Sequence, residues 1–139
     1  TTYAPSMDLR NRKGLAMPYI DGFIIPVPTA KREEYRAHEA KWWPEFRKMG
    51  AQSLVVGWGD DVPAGKQTDF MRSVAAKEDE TVVFCWMTWP DKETRDGAYR
   101  KMEEQSKTDP AMTPEAMPFD GKRMIYGGFR PILMEGGAG

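Results

Sequence analysis

Hydrophobic and polar positions along the chain follow two periods, one typical of strands and one typical of helices. Residues 19–27 are apolar and rich in β-branched and aromatic side chains, and they predict a first strand. Residues 53–58 and 81–89 predict two more strands by the same signal. The stretch 81–89 is nearly apolar on both faces, which is typical of a central strand covered on both sides. Residues 122–130 predict the last strand, where Gly127-Gly128 indicates a bulge or a close backbone approach.

Two stretches have the period of amphipathic helices. The first begins after Thr29, a predicted N-cap, and runs to about Lys48. Pro44 lies inside it and predicts a kink or an early end, because proline has no backbone N–H. The second helix follows the predicted N-cap Asp91 and runs to about residue 106. Between the middle strands, residues 59–69 predict a polar loop, and residues 70–76 predict a short edge strand or an irregular segment.

The order of these elements is β-α-β-β-α-β, which predicts an α+β domain of ferredoxin-like fold with a four-stranded antiparallel sheet. Both helices then cover one face of the sheet, and the first and last strands are neighbours. The central strand leaves one apolar set on the opposite face, either Val83, Cys85, Met87 and Trp89 or Val82, Phe84 and Trp86. Monomers rarely expose such a patch, so we expect a homodimer that pairs through this sheet face.

Length, charge and cysteine usage narrow the class of protein. The 139 residues fit one domain over residues 17–134, with a disordered tail or expression remnant over 1–16 and a flexible end over 135–139. The net charge of -1 gives no support for nucleic-acid binding, which usually needs a basic surplus. No apolar run approaches the length of a membrane helix, and Cys85 is the only cysteine. We therefore expect a cytoplasmic protein with no membrane association.

Several sequence motifs resemble those of the YbaA-like family of bacterial proteins (domain of unknown function 1428). They are the opening stretch 17–28, Gly59-Asp-Asp-Val-Pro63 with Thr68-Asp-Phe70, the strand at 81–84 and the long motif over 117–129. The resemblance covers about Met17 to Leu133. It implies a ferredoxin-like fold related to dimeric α/β-barrel proteins, and it implies no particular activity, substrate or catalytic residue.

Five residues are candidates for the wall of a binding pocket. An acidic residue in an apolar strand needs a partner, and the first and last strands of this fold are neighbours, which places Asp21 near Arg123 or Lys122. That pair is interpreted either as a structural ion pair or as one wall of a polar pocket. The whole candidate set is Asp21, His38, Trp86, Arg123 and Tyr126.

His38 is the only histidine, which excludes a two-histidine metal site. It could act as an acid or base, ligate haem as in some proteins of related fold, or bind nothing. Cys85 has no basic neighbour in sequence and predicts an inert core thiol. No metal site and no cofactor are predicted.

Two functions of different classes fit this sequence. The first is a homodimeric protein that binds a small apolar or aromatic molecule, or an accessory protein, because aromatic residues and methionines abound without an assembled catalytic set. The alternative is a cofactor-independent monooxygenase-like enzyme for a small aromatic or apolar substrate, with His38 or Asp21 as base and Trp86 or Tyr126 positioning the substrate. RNA binding, a third possibility, requires a contiguous basic face.

Overall fold

A computed structural model describes residues 18–136 of the chain. The predicted tail over 1–16 and the last three residues of the predicted flexible end lie outside this range. Within it, four strands and three α-helices alternate, and short 3-10 helices cover 29–31, 110–112 and 114–116. The elements are β1 Tyr19–Pro28, α1 Arg32–Lys48, β2 Ser53–Trp58, α2 Phe70–Ser73, β3 Glu80–Trp89, α3 Lys92–Ser106 and β4 Ile125–Phe129.

The strands form one antiparallel sheet in the order β2-β3-β1-β4. β1 pairs with β3 from Tyr19↔Trp89 to Pro28↔Glu80 and with β4 from Ile20↔Phe129 to Ile24↔Ile125. The first and last strands are therefore neighbours, as the sequence predicts. α2 is a single short turn added to the predicted β-α-β-β-α-β order.

The sheet buries one face against α1 and α3. Odd-numbered residues of β1 and β3 point to this helix side, and Val27, Val83 and Trp89 have no exposed surface. Trp89 packs with Ala98 of α3 and with residues of α1, so the two helices share one core with the sheet. Burying such side chains is the main favourable term in folding, about 1.5–3 kcal/mol for each large one.

Within residues 18–136, neither α1 nor α3 covers the opposite face, here called the outer face, and the short α2 only borders it through Phe70 against Phe84. Of the two sets predicted for β3, the structure places Val82, Phe84 and Trp86 on this face. Phe84 is 45 % exposed and Phe129 is 60 % exposed. The outer-face positions of the strands between residues 20 and 129 are Ile20, Gly22, Ile24, Pro26, Pro28, Ser53, Val55, Gly57, Glu80, Val82, Phe84, Trp86, Thr88, Ile125, Gly127 and Phe129. Glu80, at the end of β3, is the one charged residue among these positions, and it is paired with Arg123.

The N-cap predicted for the first helix is wrong, and of the two outcomes predicted for Pro44 the early end does not occur. Thr29 does not cap α1, because a 3-10 turn precedes the helix and the Thr29 hydroxyl lies 2.7 Å from the Thr81 hydroxyl instead. Pro44 does not end the helix early, since α1 continues to Lys48. Pro44 and Ala40, whose carbonyl loses a helical partner, are both exposed, so water can replace the missing bond. Gly50 follows the helix with a positive φ of 112°, a conformation that glycine commonly adopts just beyond a helix C-terminus.

The segment 70–76 and the last strand also differ from the prediction. Residues 70–73 form a helix because the Asp69 carboxylate accepts a hydrogen bond from the Arg72 N–H at 2.7 Å. The last strand starts at Ile125, later than predicted, because residues 120–123 form a turn. Gly128 makes no bulge and pairs regularly with β1, yet a Cβ there would lie only 2.6 Å from Cε2 of Tyr19. The sequence predicts a close backbone approach at this position, and the group that lies close to Gly128 is instead the side chain of Tyr19.

Candidate functional site

A cavity of about 190 Å³ lies between the helix side of the sheet, the helices α1 and α3, and the irregular segment before β4. Its walls are mostly aromatic or sulfur-containing, and five of the lining residues are methionines. The cavity is lined by Phe23, Ile25, His38, Glu39, Trp42, Phe46, Leu54, Cys85, Met87, Met102, Met112, Met117, Phe119 and Met124. We call it the helix-side cavity.

Three residues of this lining are titratable: His38, Glu39 and Cys85. Burial lowers the pKa of His38, and the nearby positive charge of Lys41 lowers it further. The imidazole also packs edge-on against Phe119, with ring centroids 6.0 Å apart. A neutral histidine is therefore favoured at this wall.

Glu39 is the acidic group of the cavity. Burial raises the pKa of Glu39, and the nearby hydroxyl of Tyr35 partly offsets this effect. Glu39 also lines a second cavity of about 340 Å³ between α1 and β2, together with Tyr35, Arg32 and Arg36. Its carboxylate therefore lies where the two cavities adjoin.

Tyr35 and Cys85 complete the polar groups in this region. Tyr35 is 1 % exposed, and its hydroxyl has no hydrogen-bond partner among residues 18–136. Burial raises the pKa of Tyr35, and neighbouring Glu39 and Cys85 add to the rise. Burial also raises the pKa of Cys85 to about 12, so its thiol is an inert core group, as the sequence predicts.

Asp21 lies on the helix side of β1, but its partners are not the predicted ones. The expected pair with Arg123 or Lys122 is wrong, because Asp21 binds Arg95 of α3, with Nη2 to Oδ1 at 2.9 Å. Trp89 Nε1 and Tyr99 Oη donate to Oδ2 at 2.8 and 2.7 Å. Asp21 is 1 % exposed and both oxygens are occupied, which indicates a structural ion-pair network rather than a free base.

Arg123 lies before β4 at an edge of the domain, where it holds two turns to β3. Its Nη1 and Nη2 each donate to Glu80 at 2.7 Å, and its Nε donates to Asp120 at 2.9 Å. The same guanidinium donates to the carbonyl of Ala75 at 2.9 Å. These bonds explain why Arg123 cannot reach Asp21, and they favour a structural role.

Trp86 and Tyr126 do not line the helix-side cavity. Both line an open groove of about 600 Å³ on the outer face, together with Phe84, Ile125 and Phe129. Trp86 does so from an outer-face position, whereas Tyr126 has a helix-side position on the edge strand β4. Tyr126 pairs with Phe23 on the edge strand, stacks on its ring at 6.4 Å and is 67 % exposed. The structure therefore divides the five candidate residues among the cavity (His38), the core (Asp21), one edge (Arg123) and the groove (Trp86 and Tyr126).

Comparison with known proteins places this geometry in a family. Residues 18–121 match the family described as "Protein of unknown function (DUF1428)". The chain belongs to this family. It is 50% identical over 121 residues to the "Uncharacterized protein YbaA" of Escherichia coli (strain K12) and, equally, of Shigella flexneri. In both cases the match covers 86% of this chain and 100% of the relative, so the resemblance found in the motifs is confirmed.

A solved structure confirms the fold of this DUF1428 chain. It is described as the crystal structure of a dimeric ferredoxin-like protein from an uncultured marine organism, and it superposes with a TM-score of 0.54. The match covers 85% of this chain and 95% of that chain at 10% identity, which supports the shared fold alone. The α+β, ferredoxin-like prediction is thus confirmed.

Within residues 18–136, no group of three or more His, Cys, Asp and Glu side chains is placed to hold a metal ion. Over the same residues, no helix has the length and apolar character needed to cross a membrane.

Two functional features were missed at the level of sequence. Glu39 follows Tyr35 by four residues on α1, so both lie on one side of the helix, and that spacing is the signal that could have found it. Arg95 precedes Tyr99 by four residues on α3 in the same way, which places both side chains at Asp21. Met112, Met117 and Met124 come from an irregular segment, where no periodicity predicts their direction.

Proposed function

We propose that this protein is a homodimer that binds a small apolar or aromatic molecule in the helix-side cavity. The observation that carries the proposal is the cavity itself, with aromatic and methionine walls and few polar groups. Ligand sites are typically apolar concavities with a small number of polar groups that fix orientation. At about 190 Å³ the space fits a molecule about the size of one substituted ring.

Methionine walls support binding rather than catalysis. Thioether side chains are flexible and polarizable, so they adapt to ligands of different outline. The groups considered for an oxygenase-like reaction are not assembled around the cavity, since Asp21 is fully bonded in the core and Trp86 lines the outer groove. A reduced, buried Cys85 also fits a reducing compartment, which supports the cytoplasm as the proposed location.

The cavity methionines make the ligand proposal directly testable. In protein labelled with ¹³C at methionine methyl groups, 2-phenylethanol is titrated as a neutral aromatic probe. We expect saturable shifts for Met102, Met117 and Met124, which line the cavity, and none for Met71 or Met134, which do not. Shifts that are linear in probe concentration, or equal for all methionines, would remove the binding site from the proposal.

The outer face is the proposed dimer interface. It carries exposed apolar side chains, and its one charged strand residue, Glu80, is paired with Arg123. Phe70 of α2 extends the face by packing edge-on against Phe84 at 6.0 Å. Covering five half-exposed side chains contributes about 1 kcal/mol each, or about 5 kcal/mol per subunit. The exposed residues used in this estimate are Val55, Phe70, Phe84, Ile125 and Phe129.

A second copy is the proposed occupant of this face for two reasons. An isologous contact lets the same apolar surface meet itself without burying an unpaired strand charge, because Glu80 is already paired with Arg123. The solved structure of similar fold is described as dimeric, which supports the same assembly here. The groove of about 600 Å³ would then lie between the two subunits.

Two neighbouring residues of β2 provide a matched test of the interface. Val55 is 42% exposed on the outer face, whereas Val56 is 36% exposed on the helix side. Sedimentation equilibrium at micromolar concentration should show a dimer for the wild type and for Val56→Lys, and a monomer for Val55→Lys, because only Val55→Lys buries a charge at the interface. A monomeric wild type, or a dimer dissociated by Val56→Lys alone, would rule out the outer face as the interface.

A further inference from the structure

The helix-side cavity has one acidic group and no matching cation. Glu39 is partly buried at the cavity wall, and it makes no ion pair within residues 18–136. A carboxylate taken out of water without a partner is costly, and structures usually pair such groups. An apolar ligand alone would leave this charge unmatched. The inference drawn from the charge rests on the proposed function, the binding of a small molecule in this cavity.

The cations closest to Glu39 along α1 are engaged elsewhere. Arg36 donates to Glu33 at 2.9 Å on the exposed side of the helix. Lys41 lies over the ring of Trp42 at 5.8 Å, and Arg32 lies over the ring of Trp58 at 6.0 Å. His38 is the remaining basic group of the cavity, and its lowered pKa keeps it neutral near pH 7.

We propose that the ligand is a small hydrophobic amine, bound as its ammonium form with the charged end on Glu39 and the apolar body among the methionines. An ammonium carries three hydrogen-bond donors and no acceptor. The Glu39 carboxylate can accept one of them, and the Tyr35 hydroxyl, which lies at the adjoining cavity and has no partner among the described residues, can accept another.

The walls of the cavity suit the rest of such a molecule. Aromatic faces attract cations, and Trp42 and Phe119 both line the space beside Glu39. Burial raises the pKa of Glu39, which is the expected behaviour of a desolvated carboxylate that has no cation beside it. An ammonium bound there would reverse that shift by favouring the charged form.

Three ligands of one shape test this inference. 2-Phenylethylamine, 2-phenylethanol and phenylacetate share an aromatic ring on a short chain and differ in end group and charge. We expect the amine to bind about 10- to 100-fold more tightly than the alcohol, the range for one charge-assisted hydrogen bond, and the anion to bind most weakly. Calorimetric titration and the methionine methyl spectra give the affinities and the place of binding.

Two glutamates of α1 provide the variant and its control. Glu39→Gln should reduce amine affinity to about that of the alcohol and leave alcohol binding unchanged, whereas Glu34→Gln, which changes an exposed glutamate, should change neither. Equal binding of amine and alcohol by the wild type, or stronger binding of the anion, would overturn the inference and leave the apolar-ligand proposal standing. If none of the three probes moves the cavity methyl signals, the proposed function fails as well. The wild-type series decides the question even if Glu39→Gln does not fold.

Discussion

Replacing Asp21 with asparagine tests the buried network that joins the sheet to α3. The change keeps the size of the side chain but removes its charge and turns one acceptor oxygen into an NH₂ donor. That donor then faces groups that also donate, since Arg95, Trp89 and Tyr99 all give hydrogen bonds to the carboxylate. Asp21 is 1 % exposed, so water cannot take its place.

The structure sets the size of the expected effect. Removing one partner of a buried ion pair costs about 3–5 kcal/mol. Arg95 keeps a bond to Asp96 at 2.9 Å, and its side chain is 15% exposed, so we expect the lower end, about 3 kcal/mol. For a domain of this size the melting temperature should fall by about 12 °C.

Asp96 provides a matched control, because it is also an aspartate bound to Arg95. Its side chain is 30% exposed, so Asp96→Asn should cost about 1 kcal/mol or less. Tyr99→Phe removes a single hydrogen bond to Asp21 and should cost about 1 kcal/mol. Urea unfolding followed by circular dichroism, at one fixed protein concentration, gives the three values. A cost below about 1 kcal/mol for Asp21→Asn, or an equal cost for Asp96→Asn, would contradict the reasoning.

Two further predictions concern the edge of the sheet. The hydrogen bonds from Arg123 lower the pKa of Glu80 below its ordinary value of 4.5, so this pair stabilises the protein above about pH 4.5 and the contribution is lost as the pH falls through the lowered value. Glu80→Gln should therefore reduce the loss of stability on acidification, and an acid-unfolding curve with unchanged pH dependence would contradict this. Gly128→Ala places a Cβ 2.6 Å from Cε2 of Tyr19 and should cost about 1–3 kcal/mol, whereas Gly121→Ala has nothing within 4 Å and should be nearly neutral. Thermal unfolding measures both, and equal melting temperatures for the two alanine variants would show that the ring of Tyr19 moves aside.

The strands could be predicted from local pattern because burial imposes a short and regular period on them. β1, β2 and β3 lie within a residue or two of their predicted bounds. Asp91 caps α3 as predicted, accepting from the Thr94 N–H at 2.6 Å. The apolar outer face also follows from alternation along the strands, because successive side chains must point to opposite sides.

The candidate site could be predicted only in part. His38 lies at the cavity, but the pairing of Asp21 was assigned to the wrong strand neighbour. Neighbouring strands bring backbones together, whereas a long side chain such as Arg95 can reach the sheet from a helix more than 70 residues away in sequence. The spacing of residues along the sequence does not predict a contact between such distant side chains.

The sequence by itself determined the strands, the two long helices and the chemical character of both sheet faces, because each depends on a period of two or 3.6 residues or on a local cap. Only the tertiary structure decided which charges meet and where the cavity lies. Asp21 and Arg95 meet because α3 packs on β1, and the cavity forms because the irregular methionine-rich segment does not fill the space between the helices and the sheet. Both outcomes depend on packing between distant parts of the chain, whose relative directions no local pattern specifies.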